Sequence, residues 1–523
     1  MLGQAAAQDP APTYTWTGNG GDNLYSNGAN WANGSIPGYG NLNFGNSVTN
    51  TTVSVDSTGL AQHAIFFVSA SNYTLTGNGF TFYDYSGYPS RVENDGTGLG
   101  TVNVPLTFAS GTSGSTGLNR VEINAITGDL VFGTAATITL TGGAVNGIQL
   151  FGSGHTVTFN GAIGESGSSR YIEVNGGNTV VFNAANTYSG NTDVYNGSTL
   201  QFTTGGSSAN SIIRLGNDDA SGVTAGSGTN TVSLTGATGG QNITSVLVAA
   251  AGNGLLSSTN GSGTNTYAGG IYLDGSLGIR ATAAGGTFAL TGTVDVKSQT
   301  LMIGGAGVVN AASGIQSSTG GGAVVYNGSG TLLLNGNGNN AGTTTVNSGT
   351  LGGTGSVAGP VNINAATVNP GSIGAAGSAG AVGTLTVGAL TLAGTSTSVF
   401  DLATATSYDQ LVANGAVMLA GTLAINNSGA FANGTTFDLV RGSALMGTFS
   451  GIADGGIYTF GGQTFQAQYT TTDFYLVAVP EPAAWLAGTL TLAAAAWTLR
   501  RRLSVDNRQA GCHHSRRSAK AHP

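Results

Sequence analysis

The side chains able to do chemistry are few in this chain. Ahead of Arg500 histidine occurs only at His63 and His155, far apart in sequence, and cysteine is absent until Cys512. No Gly-x-Ser-x-Gly stretch occurs, so the strained turn that exposes a serine nucleophile has no counterpart. Gly-x-Gly is frequent, but no copy runs on to the third glycine of a dinucleotide loop, and each is read as a turn. The densest acidic groups are Glu93-Asn94-Asp95 and Asn217-Asp218-Asp219. Their oxygens suit Ca²⁺, yet neither has the spacing of an EF-hand or a nonapeptide repeat, and both read as polar loops. Cys512 beside His513 and His514 falls short of the four ligands a tetrahedral zinc site needs. The sequence therefore nominates no catalytic, cofactor or metal residue. Its candidates are of another kind: Pro480-Glu481-Pro482, followed by an uncharged run and Arg500-Arg501-Arg502.

Charge is distributed in two regimes. Up to Leu499 there are 7 basic and 21 acidic residues, whereas from Arg500 onward 7 basic residues face Asp506 alone. Charged residues make up 7% of the whole, against about 25% in an ordinary soluble domain. A body this poor in cations offers nothing to nucleic-acid phosphates. Uncharged Asn, Thr, Ser and Gly must keep it soluble, and without cysteines it must fold without disulfides.

Along the body one unit recurs: a short alternating strand, then a glycine turn. Residues 137–142, 156–161 and 231–236 are copies, with Ile138/Leu140, Val157/Phe159 and Val232/Leu234 on one side and hydroxyls on the other. The Asn-Gly pairs at 160–161, 196–197 and 327–328 are expected to supply positive backbone angles at turns. The strands continue through most of the chain with scarce charge or proline to protect sheet edges, which favours a stacked solenoid over a sandwich. A longer frame appears in "NTYSGNTDVYNGSTL" (186–200), "NTYAGGIYLDGSL" (265–277) and "NNAGTTTVNSGTL" (339–351), whose glycines Gly190, Gly269 and Gly342 recur at wide, nearly even intervals.

These stretches resemble the autotransporter-associated β-strand repeat of bacterial passenger proteins. The third, seen whole as "GSGTLLLNGNGNNAGTTTVNSGTLGGTG" (328–355), departs from the pattern at Asn340, where Tyr188 and Tyr267 stand in the other copies. Residues 14–38, with Trp16, Asp22, Asn30-Trp31 and Pro37, are similar to the usual opening segment of such passengers, and 368–425 to their carboxy-terminal part. The resemblance implies a right-handed parallel β-helix; at roughly 20–25 residues per coil that is about 20 coils and a rod of roughly 80–100 Å. The ten-residue alternating segments of a translocator barrel do not follow.

At the carboxy end, residues 483–499 form a stretch without charge, flanked by Pro482 and the three arginines and carrying Trp485 and Trp497 near its ends. It is expected to form one transmembrane helix with the arginines on the cytoplasmic side. With the triplet in front, the arrangement resembles the PEP-CTERM sorting signal of Gram-negative bacteria. That resemblance implies recognition of Pro480, Glu481 and Pro482 by an exosortase, with Arg500, Arg501 and Arg502 as stop and orientation signals. The precursor would be held transiently in the inner membrane, C-terminus cytoplasmic, before release to the cell surface.

The expected organisation is thus all-β with one C-terminal helix. Residues 1–13 are an unstructured end or the remnant of a signal peptide, as the small-residue pattern Ala5-Ala6-Ala7-Gln8 suggests. Residues 14–49 cap the solenoid, 50–360 form it (repeats at 178–200, 255–279 and 328–355), and 361–478 are a passenger-like β segment. The sorting signal spans 479–503 (helix 483–499), and 504–523 is a basic cytoplasmic tail. The expected function is a structural or adhesive rod associated with exopolysaccharide, surface glycans or biofilm, needing no cofactor. The alternative is a β-helical polysaccharide lyase or hydrolase, against which the scarcity of His, Lys, Arg and paired acids argues.

Overall fold

The computed structural model of the chain describes residues 10–45, 50–109, 120–141, 147–216, 228–250, 254–372, 380–427, 429–480, 496–498 and 500–501. Nearly every strand among them pairs in parallel with one a turn earlier and one a turn later, which makes a β-solenoid of about 16 turns. Five sheets form its three faces, the one from Asn337–Gly338 to Thr436–Arg441 taking over the first face beyond Gln316. The first face begins at Thr13–Trp16 and Asn41–Phe44 and climbs in register to Ile315–Gln316. The second runs from Thr52–Val55 to Ala444–Gly447. The third is shorter-stranded, from Leu60–Gln62 to Ile163–Glu165 and again from Asn242–Ile243 to Thr422–Asn427.

The two-residue period makes this possible. In Thr156–Phe159, Val157 and Phe159 are buried while the threonines between them are partly exposed. The same alternation holds in Ile138–Leu140 and begins Asn230–Leu234. Stacking places like on like. On the second face Phe132, Phe159, Phe182 and Phe202 lie in one register column. Phe132 and Phe159 stack with ring centroids 4.8 Å apart, and Phe182 meets Phe159 edge-on at 5.8 Å. Such columns hold each turn through its neighbours, with no disulfide required.

Turns are fewer and more uneven than the repeat resemblance implies. Leu332 meets Leu351 after a short circuit of the chain, whereas Thr199 meets Thr231 only after a much longer one. With about 16 turns rather than 20, and about 4.8 Å per step, the stack is roughly 75–80 Å long. The spacing of the repeat glycines now has a cause. From Gly190 to Gly269 the chain makes three turns, since Thr192–Val194, Ile212–Leu215, Val246–Ala249 and Ile271–Leu273 succeed one another on the first face. From Gly269 to Gly342 it makes three turns and one face more, so Thr344–Val346 lies on the second face. The repeat frame therefore marks a corner, not a face. At each copy a Cβ on the glycine would sit 1.8–2.2 Å from a carbonyl of the turn below (Arg170, Ser245, Gly322), which only glycine avoids.

Two glycine expectations need correcting. Asn196 and Gly197 do have positive φ (56° and 74°). Neither Asn160-Gly161 nor Asn327-Gly328 does. Gly161 and Gly328 are required by proximity instead: a Cβ would lie 2.4 Å from the Ala136 carbonyl oxygen and 2.6 Å from that of Gly305. At Asn340 the amide does what tyrosine does not, accepting from the Gly322 N–H at 3.0 Å and donating to its carbonyl at 2.8 Å.

Both ends of the described stack are covered. Trp16, Tyr25 and Trp31 pack edge to face at 5.1 and 5.2 Å. Buried Asn30 accepts from the Gly20 N–H and donates to Asp22 and to the Leu24 carbonyl. Residues 23–25 bond Ser54 and close the open edge of the second face. Of the residues that carry the opening-segment resemblance, Trp16, Asp22, Asn30 and Trp31 thus meet in one cluster. At the other end Thr436–Arg441, Asp473–Ala478, Gln463–Tyr469 and Ile457–Phe460 form an antiparallel meander that ends the parallel stacking.

The expected C-terminal helix is a correction. Of its expected span, 483–499, only residues 496–498 are described, and no helix among the described residues is long and apolar enough to cross a membrane. The physical reason is visible in the stretch itself. Most of the positions from 483 to 499 are Ala, Thr or Gly, and a helix over that span, rising about 1.5 Å per residue, falls short of a hydrocarbon core about 30 Å thick. Among the described residues the fold is all-β with no helix able to cross a membrane, and the inner-membrane stage with a cytoplasmic C-terminus loses the element it depended on.

Candidate ligand-binding face

The second acidic group singled out in the sequence, residues 217–219, lies outside the described residues, as do Glu481, Pro482, Arg502, Cys512, His513 and His514. Pro480 is half-buried just beyond the last strand, after Val479 donates to the Thr464 carbonyl at 2.9 Å. Arg500 and Arg501 are exposed, the guanidinium of Arg501 lying 4.8 Å from the Trp497 ring centre. The two histidines are not brought together into a site. His63 is buried at a corner with Nδ1 3.0 Å from the Tyr83 carbonyl oxygen, and the His155 Nδ1 lies 3.5 Å from Asp129. Among the described residues no three His, Cys, Asp or Glu side chains converge as a metal would require.

The group Glu93-Asn94-Asp95 is split by the strand. Asn94 points inward, fully buried, donating to the carbonyls of Gly98 and Asp129 at 2.8 Å each and accepting from the Gly96 N–H, so it pins a corner. Glu93 points outward, and there it joins residues that lie scattered along the sequence. On the outer side of the first face one register column reads Arg91, Glu122, Gln149, Glu173, Asp193, Arg214. A second reads Phe66, Glu93, Asn124, Phe151. Behind both, Ile65, Val92, Ile123, Leu150, Val174, Val194 and Leu215 form the inner column that fixes the strands.

The ladder concentrates charge that is sparse elsewhere in the body. Three of the chain's five glutamates are on it, with two of the seven cations that precede the tail, Arg91 and Arg214, and a third, Arg120, beside it. Arg91 lies 3.1 Å from Glu122 and 3.8 Å from Glu93; Arg120 also reaches Glu122 at 3.1 Å; Arg214 reaches Asp193 at 2.8 Å. Asn124 donates to Glu93 at 2.7 Å, and the Tyr195 hydroxyl donates to Glu173 at 3.3 Å. Glu122, Glu173 and Asp193 are all less than a tenth exposed although they face outward. Burial also pushes the Glu93 carboxyl up to about 7, the Asp95 charge adding to the rise while the Asn124 hydrogen bond and Arg91 oppose it. The face is therefore polar and nearly charge-balanced, with aromatic rings at Phe66, Phe151 and Tyr195 beside it. That combination suits a hydroxyl-rich ligand, through hydrogen bonds and ring contacts, better than a phosphate. From the Arg91 strand to the Arg214 strand is five steps of about 4.8 Å, or about 24 Å along the rod.

One signal could have found the ladder. Arg-Val-Glu occurs at 91–93 and again at 120–122, but only the register tells which residues face which. Comparisons do not add to it: no protein-family model matches the chain, and no curated protein is significantly similar to it.

Proposed function

We propose that this protein is a structural and adhesive β-solenoid rod whose first face lies along an extended polysaccharide. The observation that supports it is the polar ladder from Arg91 to Arg214, straight, about 24 Å long, close to charge-balanced and set on a rigid sheet. A linear polymer meets such a face at many weak, repeated contacts. The test is retention of the full chain on immobilised neutral polysaccharides. Glu173→Gln together with Tyr195→Phe removes a charge and a hydroxyl from the middle of the ladder, and should lower retention severalfold with an unchanged circular dichroism spectrum. Unchanged retention would count against the proposal.

A second reading, a β-helical carbohydrate-active enzyme, draws on one observation: a carboxyl held up to about 7, such as Glu93, can donate a proton near neutral pH. New reducing ends released from a polysaccharide, and abolished by Glu93→Gln, would favour that reading.

For the tail, we propose recognition of Pro480-Glu481-Pro482 by an exosortase as a processing site, on the sequence resemblance alone. Intact mass of the protein, made with and without Pro480→Ala and Pro482→Ala beside such an enzyme, tests it. A full-length mass in both cases would remove the proposal.

A further inference from the structure

Seven cations precede the tail, and their partners differ in one case. Arg91, Arg120, Arg214, Lys297 and Arg441 are ion-paired, and Arg170 is buried. Arg280 is exposed, and among the described residues no hydrogen bond or ion pair engages its guanidinium. In a body with three acids for every base, a cation left without a carboxylate is unusual.

Arg280 also stands in a cleft. An open cleft of about 800 Å³ crosses the outer side of the second face, over the strands Gly254–Ser258, Leu277–Ala281 and Thr300–Gly305. Its cause is local. In the outward column Leu255, Gly278, Met302 the middle member has no side chain, and the position next to Arg280 one turn on is Gly304. Thr229, Thr282, Asn327 and Ser329 bring hydroxyl and amide groups to the rim, while Leu255 and the half-exposed Met302 give an apolar wall. Among the described residues no carboxylate lines it.

We infer that this cleft is a binding subsite for the anionic group of an acidic saccharide, with Arg280 as the charge that selects it. The planar guanidinium presents paired N–H donors to a carboxylate or sulfate. The hydroxyls and Asn327 face the sugar's own hydroxyls, and Met302 and Leu255 meet its apolar ring side. The cleft lies on a different wall from the polar ladder, so the inference stands apart from the function proposed above and its variants fail separately.

The experiment measures affinity of the full chain for oligogalacturonate, for a sulfated dextran and for plain dextran. Arg280→Ala should weaken binding of an anionic ligand roughly tenfold or more, the loss of a charge-assisted pair, and leave plain dextran unaffected. Gly304→Leu should do the same by filling the cleft; a Cβ there meets nothing nearer than 3.7 Å, so the fold has room for it. Lys297→Ala removes an equal charge elsewhere and should change little. Oligogalacturonate and sulfated dextran, compared side by side, tell which anion the cleft takes. Absence of binding to both, equal binding by wild type, Arg280→Ala and Gly304→Leu, or an equal loss in Lys297→Ala would each overturn the inference.

Discussion

Glu122 stands directly across from Arg91 on the neighbouring turn, its carboxylate 3.1 Å from the guanidinium. Aligning the two Arg-Val-Glu stretches residue for residue would have set Arg120 over Arg91 and Glu122 over Glu93. The observed register is slipped by two. A slip of two keeps the same side chains inward, with Ile123 over Val92, so the interior loses nothing, while like charges across a ladder become opposite ones. Both side chains are only 11–14% exposed, so the pair is poorly screened. Glu122→Ala should leave Arg91 and Arg120 short of a partner and destabilise the fold by about 2 kcal/mol or more. Denaturant midpoints for Glu122→Ala, Arg91→Ala and the double variant check this, and additive effects would show that the pair is not coupled.

The phenylalanine column of the second face gives a second prediction. Phe159 is sandwiched between Phe132 and Phe182 and almost fully buried. Phe159→Ala should cost about 3–5 kcal/mol, the range for a large-to-small change in a packed core. In a solenoid the damage spreads mainly to adjacent turns. Hydrogen exchange should therefore rise first in Phe132, Phe182 and Phe202 and their strands, while the meander at 457–478 keeps its protection. A uniform rise over the whole chain would contradict the layered picture.

How much of this was legible in the sequence depended on range. Alternation within a strand is a local property, so Val157/Phe159 and Val232/Leu234 could be placed inward without a structure. Register is not local. Nothing in the sequence says that Glu173 lies across from Asp193, or that an equivalent repeat at 339–351 sits one face further round than those at 186–200 and 265–277. The charged ladder stayed hidden for that reason, because successive members of each column come from different turns, as Arg91 and Glu122 do. The same limit explains the glycine errors at 161 and 328, where the constraint is a carbonyl of another turn and not the local backbone angle. The expected membrane helix is a different case: residues 483–499 carry no charge, but Ala, Thr and Gly make them only weakly hydrophobic.

Length follows from the turn count. About 16 turns at about 4.8 Å each predict a rod body roughly 75–80 Å long. Small-angle scattering of the chain truncated after Val479 should give a maximum dimension near that, slightly enlarged by the end caps. The profile should be unchanged by chelator or reductant. A maximum dimension well under about 60 Å for this stretch would be incompatible with continuous stacking.

The pH dependence of stability can be worked out from two carboxyls. Glu93 is pushed up to about 7 from 4.5, chiefly by burial, and Asp409 up to about 7 from 3.8, again chiefly by burial and helped by the Asp401 charge, though it accepts from the N–H groups of Gly383 and Asp401. In each case the folded state holds its proton where the unfolded chain has lost it. Their contribution is fully present below about pH 4 and is lost as pH rises through about 7. Hydrogen bonds hold Asp22 below the ordinary value; in Asp56, Asp295 and Asp473 burial works the other way but is outweighed by hydrogen bonds, joined by the charges of Lys297 at Asp295 and Arg441 at Asp473. These four act oppositely, losing stability only as pH falls below the ordinary carboxylate range. Between pH 5 and 8 the first pair therefore dominates, and the denaturant midpoint should fall as pH rises. Glu93→Gln keeps an oxygen for Asn124 and removes one titration, so it should reduce that fall; Asp409→Asn should reduce it too, from a lower starting stability, because one backbone N–H loses its acceptor. Midpoints taken at unit steps from pH 5 to 8 decide the matter, and a stability that climbs over this range in the wild type would show that neither carboxyl stays protonated in the fold.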